Sequence, residues 1–254
     1  EEFVQEVTEG LLPPPQYFPL NVKMNKEGYE DVDLVLERGT RALSPDAFEV
    51  AANETGAIVL DVRHQEDFAK GHIPRSIFIG LDGSFAPWVG ALVADVAQPI
   101  LLVAPEDRVE EAVTRLSRVG FDKTLGYLEG GFEAWKKASK EYDTVSPIRV
   151  EELHTLLQSE EGVPVFDVRK ESEFLSEHLV DAENTPLDYL NNYLSTFPRE
   201  EVFYLHCASG YRSMVAASIL KSRGIHNFVD ITGGFDAIKE AGLPVTDYVC
   251  PTTL

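Results

Sequence analysis

Ile58-Val59-Leu60-Asp61-Val62-Arg63 and Val163-Pro164-Val165-Phe166-Asp167-Val168-Arg169 carry one pattern, an apolar run closed by Asp-Val-Arg. Working outward, other landmarks recur in the same order. Ser44-Pro45 precedes an amphipathic stretch over 46–52, and Ser146-Pro147 precedes one over 149–157. Both read as a serine cap with proline in the first helical turn. His72-Ile73 returns as His178-Leu179, and Gly130-Gly131-Phe132 as Gly233-Gly234-Phe235. Four landmarks in one order at a spacing of roughly one hundred residues mark a duplicated domain, since the period is too long for a solenoid.

Within each copy, buried-type strands alternate with helices. Ile100-Leu101-Leu102-Val103 precedes a stretch with Ala112, Val113, Leu116 and Val119 on one face, closed by Gly120. Val202-Phe203-Tyr204-Leu205 precedes one with Val215, Ala216, Ile219 and Leu220, closed by Gly224. Helical periodicity ending in glycine is a stop signal. The alternation predicts an α/β protein of two domains, each a mostly parallel sheet flanked by helices on both faces. The expected boundaries are a linker or strap over 1–39, a first domain over 40–141 and a second over 142–254. Pro13-Pro14-Pro15 suits a spacer, and Tyr17 and Phe18 suit one partly docked on a neighbour.

Composition narrows the function. The 254 residues carry a net charge of −21, which repels phosphate backbones and anionic lipid, so neither nucleic acid nor membrane is an expected partner. No apolar run reaches the ~18–20 residues of a spanning helix. Two cysteines, Cys207 and Cys250, make no disulfide framework, and a reducing, cytoplasmic setting is expected. The chain opens Glu1-Glu2-Phe3, without an initiator Met or a signal-peptide pattern, as a processed chain or a piece of a longer polypeptide would. The six histidines form no ligand cluster, so no metal and no cofactor are expected.

One place carries chemistry. Ligands of such sheets bind beyond the carboxyl ends of the strands. There the chain reads Cys207-Ala208-Ser209-Gly210-Tyr211-Arg212-Ser213, and then a helix. A short strand-to-helix loop can turn successive N–H groups inward as an anion nest, helped by the helix dipole. With the Arg212 cation beside it, the Cys207 thiol is expected below its free value near ~8.5, as a ready nucleophile. Gly210 frees the loop backbone. Ala208, Ser209, Tyr211 and Ser213 complete the expected loop, with Ser209 either a donor to the sulfur or a satisfier of loop backbone. Asp61 with Arg63 and Asp167 with Arg169 read as structural ion pairs, because one pair sits in a copy without a nucleophile. His178 and His206 read as scaffold, and Cys250 as incidental or, as an alternative, a resolving thiol.

The Cys-x-x-Gly-x-Arg loop, the Asp-Val-Arg strand ends, the histidines and the Gly-Gly-Phe turns together resemble a tandem of rhodanese (thiosulfate sulfurtransferase) domains over about residues 40–250. The opening Pro13-Pro14-Pro15-Gln16-Tyr17-Phe18-Pro19-Leu20-Asn21 resembles the stretch after the catalytic domain in metallo-β-lactamase-fold proteins fused to rhodaneses, among whose relatives are persulfide dioxygenases. The resemblance implies a sulfurtransferase in which Cys207 takes a sulfane sulfur from thiosulfate or a low-molecular-weight persulfide and passes it to a thiophilic acceptor. It also implies a fused or partner metallo-β-lactamase-fold domain. Four residues separate Cys207 from Arg212, the sulfur-transferring spacing, where related phosphatases carry five. Ala208 stands where many thiosulfate-using relatives carry a cation, which favours the persulfide.

Counting back from the helix-closing glycines sets Arg108 against Arg212 and Val103 against Cys207. The first copy then has no sulfur, and it carries a proline and two carboxylates in its loop. It is expected to be inert and to cover one side of the pocket. The rival readings are a non-catalytic sulfane-sulfur carrier or sensor, and a purely structural partner module.

Overall fold

The structure is a computed structural model that describes residues 30–159 and 162–250, together with Val22, Lys26 and Gly28. Most of the expected strap, including Pro13-Pro14-Pro15, lies outside the described residues. Where description becomes continuous, helix α1 (Val32–Gly39) buries Val35 in the core beside α5 (Val109–Ser117).

Two five-stranded sheets follow, each wholly parallel and in the same order. The first runs β1 (Ala42–Leu43), β5 (Thr124–Leu128), β4 (Ile100–Val103), β2 (Ile58–Asp61), β3 (Ile77–Phe78). The second runs β6 (Pro147–Ile148), β10 (Phe228–Ile231), β9 (Phe203–His206), β7 (Val165–Asp167), β8 (Glu183–Asn184). Their central strands are almost entirely apolar because helices cover both faces. These helices are α2 (Pro45–Thr55), α3 (Gln65–Lys70), α4 (Phe85–Leu92), α5 and α6 (Gly131–Lys137) in the first copy. In the second they are α7 (Val150–Ser159), α8 (Glu171–Ser176), α9 (Tyr211–Ser222) and α10 (Gly234–Glu240).

The two serine caps are not equivalent. Ser44 caps α2, its Oγ accepting from the Ala47 N–H. Ser146-Pro147 caps nothing: Pro147 belongs to the edge strand β6, and α7 starts three residues later. The ladder decides this. The Ser146 carbonyl accepts from Asp230 N–H, and the Ile148 carbonyl from Thr232 N–H. A proline is tolerated there because an edge strand can spare one donor.

Helix α9 also differs from its amphipathic reading. Every residue from Ser213 to Leu220 is buried, since β3 of the first domain covers the face its own sheet leaves open. The Ser218 hydroxyl accepts the Phe78 N–H at 3.0 Å across this seam, and Lys221 pairs with Asp143 at 2.8 Å. Phe78, Phe68 and Phe85 of the first copy thus share one core with Phe166, Phe203 and Phe228 of the second. Among the described residues, no helix is long and apolar enough to cross a membrane.

Candidate active site

Strand β9 ends at His206, in register with Asp167, and delivers Cys207 to the carboxyl edge of the second sheet. The loop of Ala208, Ser209 and Gly210 then turns into α9, with Gly210 at φ 103°, a left-handed geometry that glycine accepts without strain. The Gly210 N–H donates to Cys207 Sγ at 3.2 Å. Among the described residues this is the one loop amide on the sulfur, where several were expected to converge.

The loop's carbonyls are held from behind. Phe235 N–H donates to the Cys207 carbonyl at 2.7 Å, and Asp236 N–H to that of Ala208 at 3.1 Å. Both donors belong to the first turn of α10, which the Gly233-Gly234 turn presses against the loop. A Cβ on Gly234 would stand 2.5 Å from the Cys207 carbonyl oxygen, so this position has room only for hydrogen. The His206 ring adds a bond from Nδ1 to the same oxygen at 3.1 Å. Burial pushes the His206 pKa down, so its ring is neutral scaffold.

Cys207 is 1% exposed, and its route to solvent is a cavity of about 470 Å³. Ala208, Ser209 and the flanks of Tyr211 and Arg212 border this cavity, as the sequence led one to expect. Lys170 and Asp188 of the second domain join them, facing Gly83, Ser84, Pro87, Trp88 and Ala91 of the first. The first domain was expected to cover one side of the pocket, but which of its residues do so was not legible beforehand, because they lie on a distant stretch with no chemical signature of its own.

Arg212 is partly engaged. Its guanidinium grips Glu173 of α8 through two bonds, the longer 2.8 Å. That bond holds Glu173 below the usual carboxylate range and Arg212 above its ordinary value, with the nearby Cys207 a smaller contributor to the latter. Two expected loop residues have other tasks. The Ser213 hydroxyl is buried beneath the loop, donating to the Gly210 carbonyl at 3.2 Å. Tyr211 reaches into the first domain, its hydroxyl bonded to the Gly80 carbonyl at 2.8 Å and its ring edge-on to Phe78. Burial pushes its phenol well above the usual value.

The paired landmarks prove to be scaffold in both copies. Asp61 and Asp167 are fully buried, each clamped by Arg63 or Arg169 at 2.6 Å. Each arginine also bonds a carbonyl eight residues on and stacks over the Gly-Gly-Phe phenyl ring, Phe132 or Phe235. His72 lies on Phe68 and His178 on Phe174, each with Nδ1 on that residue's carbonyl.

The first copy's loop needs one correction. Asp61 pairs in register with Val103 as Asp167 does with His206, so the position equivalent to Cys207 is Ala104, not Val103. Counting back from the glycines assumed equal loops, and the first is one residue shorter. It still has no sulfur. Glu106 accepts the Gly130 N–H at 3.0 Å, and Arg108 is spent on Asp82 and Glu111. Cys250 is exposed, beside Val249, whose backbone is tied to Ser176. Among the described residues, no group of three potential metal ligands exists.

A family model described as a rhodanese-like domain matches residues 44–138 and again 149–241. An uncharacterized protein of Synechocystis, slr1261, is 36% identical over 103 residues, covering 40% of this chain and 54% of that one. The match therefore spans about half the length of that relative. A sulfurtransferase of Allochromatium vinosum is 29% identical over 101 residues, covering 40% of this chain and 94% of the relative. Among solved structures, a rhodanese-related protein of Thermoplasma volcanium is 28% identical, covers 40% of this chain and 97% of that chain, and has a TM-score of 0.36.

Proposed function

The chain belongs to the rhodanese-like family in both its halves, and from that premise we propose that it is a sulfurtransferase in which the second domain alone carries sulfur, as a persulfide on Cys207. The observation that carries this reading is that Cys207 borders a cavity with Arg212 on the same wall, while its Sγ is held by the Gly210 N–H. In the first half-reaction the Cys207 thiolate attacks the sulfane sulfur of the donor. A new S–S bond forms, the donor's S–S bond breaks, and its electron pair leaves with sulfite or a thiolate. An acceptor thiolate or cyanide then attacks the outer sulfur and returns the Cys207 thiolate. Electrons balance without an external oxidant. The Gly210 N–H and the nearby Arg212 charge stabilise the anionic sulfur in both steps.

The donor we favour is a low-molecular-weight organic persulfide, free or delivered by a fused or partner metallo-β-lactamase-fold domain, over thiosulfate. Trp88, Pro87 and Ala91 give the cavity an apolar wall suited to an organic body. Glu173 already neutralises much of Arg212, leaving Lys170 as the other bordering cation. A small dianion gains less from such a site than an anion with a carbon skeleton.

The test is cyanide-dependent thiocyanate production with thiosulfate and glutathione persulfide as donors, alongside intact-mass analysis. We expect repeated turnover, faster with the persulfide, and one added sulfur on the resting protein. Cys207→Ser is expected to reduce turnover at least 10³-fold and to remove the added mass while the melting temperature holds. Activity surviving that change ends the proposal. One equivalent of thiocyanate and no more would identify a carrier instead.

A further inference from the structure

A second cleft, of about 490 Å³, opens on the other side of the Cys207 loop. It lies between α3 of the first domain, the interdomain residues 144–147 and the end of β10. Ala69, Val145, Pro147 and Met214 give it an apolar wall, and Ser209 and Gly210 close it on the loop side. Cys207 does not border it.

At its inner edge stands Asp230. This carboxyl occupies a mid-sheet position, in register with Pro147 on one side and Leu205 on the other. In the first copy the equivalent residue, paired with Ala42, is Tyr127, whose ring packs against the core. Here a short acidic side chain replaces that ring. Asp230 is 7% exposed, and its Oδ1 has no hydrogen-bond partner among the described residues. Leaving a buried acceptor unpaired costs about 1–3 kcal/mol, so a native structure that keeps one calls for a reason. Burial lifts the Asp230 pKa to about 7, and the nearby Ser213 hydroxyl opposes the rise only in part, its proton being donated to the Gly210 carbonyl.

The charged groups around it are few. Glu66 and Lys70 border the cleft from α3, both largely exposed and 3.9 Å from each other. Asp143, next to the interdomain residues, is engaged with Lys221 and lies 3.8 Å from His226. From α9 the neighbours are Ser213 and Met214, and from β6 and β9 the register partners Pro147 and Leu205, none of them charged. Among the described residues, Asp230 therefore has no cation of its own. A cavity of a few hundred cubic ångströms with one convergent polar group has the dimensions of a small-molecule site.

We propose that this cleft is a second binding site, for a small organic amine whose apolar body lies against Ala69, Val145, Pro147 and Met214 and whose ammonium meets the Asp230 carboxyl. A net charge of −21 raises the local concentration of such cations and opposes carboxylate ligands. The site does not depend on Cys207 chemistry, and binding is read without turnover.

Three probes of one shape decide it: benzylamine, benzyl alcohol and benzoate, titrated into the full chain by NMR. Benzylamine is expected to shift the Met214 methyl and the Ser209 and Gly210 amides. Its affinity should rise about thirtyfold from pH 5.5 to 8, because a bound ammonium favours ionised Asp230. The alcohol and the benzoate should bind at least tenfold more weakly. Asp230→Asn should abolish both the amine preference and the pH dependence. Ala69→Trp, on the rim, should block benzylamine while leaving Asp230 in place. Equal binding of amine and alcohol, a pH dependence surviving Asp230→Asn, or unchanged affinity in Ala69→Trp would each overturn the site.

Discussion

The loops after β4 and β9 start from equivalent strands and end in different chemistry. After β9 the chain offers a sulfur, an N–H upon it and a cavity before it. After β4 it offers Ala104, a carboxylate folded onto Gly130 and an arginine committed to two acidic partners. Much beneath the loops is shared: the Asp–Arg clamp, the His-on-Phe stack and the double-glycine turn. What the two loops share is therefore fold, and the candidate chemistry lies in what only the second one has. The first domain is nonetheless part of the site, because Trp88, Pro87 and Ala91 wall the cavity and Gly80 anchors Tyr211.

The glycine turns offer the strongest way to break this comparison. Gly131 and Gly234 share φ 59°, but an added Cβ meets nothing closer than 3.8 Å at Gly131 and the Cys207 carbonyl at 2.5 Å at Gly234. Gly131→Ala should cost roughly 1–2 kcal/mol of stability from backbone strain alone, with sulfur transfer within twofold of the parent. Gly234→Ala should add displacement of the loop and lower transfer at least tenfold. Paired thermal melts and turnover assays check this, and equal effects on turnover would sink the distinction.

Acid stability sharpens it next. His72 is buried where the first copy's backbone pairs with Asp143, and burial brings its pKa down to about 4 from the usual 6.5. The unfolded chain binds this proton near pH 6.5 and the folded chain only near 4, so stability is intact above 6.5 and falls as pH drops through that window. The loss is on the order of 3 kcal/mol. His72→Gln should flatten that part of a urea-melt series. An unchanged slope would assign the lability elsewhere.

The smallest effect belongs to the seam. Tyr211→Phe removes the hydroxyl that bonds the Gly80 carbonyl and should cost about 1 kcal/mol in urea melts, because the ring still packs on Phe78. A loss of several kcal/mol would show that the domains depend on this bond far more than its geometry indicates.

Legibility followed locality. The Asp-Val-Arg strand ends, the histidines, the Gly-Gly-Phe turns and the Cys207 loop were readable because each is a contiguous signal of a few residues. The Ser146-Pro147 cap failed because strand pairing with β10 overrode a local preference. The Val103 alignment failed because a one-residue loop difference is invisible without the ladder. Ser213 lies beneath the loop and the Tyr211 hydroxyl reaches past the pocket to Gly80, because α9 is buried on both sides, by its own sheet and by a domain more than one hundred residues earlier.

By itself the sequence determined the duplication, the parallel α/β architecture, the one cysteine placed at a strand-to-helix loop and the cysteine-free first copy, since these depend on residue order and periodicity. Only the tertiary structure decided which residues wall the cavity, that Glu173 shares Arg212, and that Asp230 stands unpartnered at a second cleft. Those outcomes depend on side chains distant in sequence meeting in a low-dielectric interior, where the energy of a charge is set by its neighbours in space.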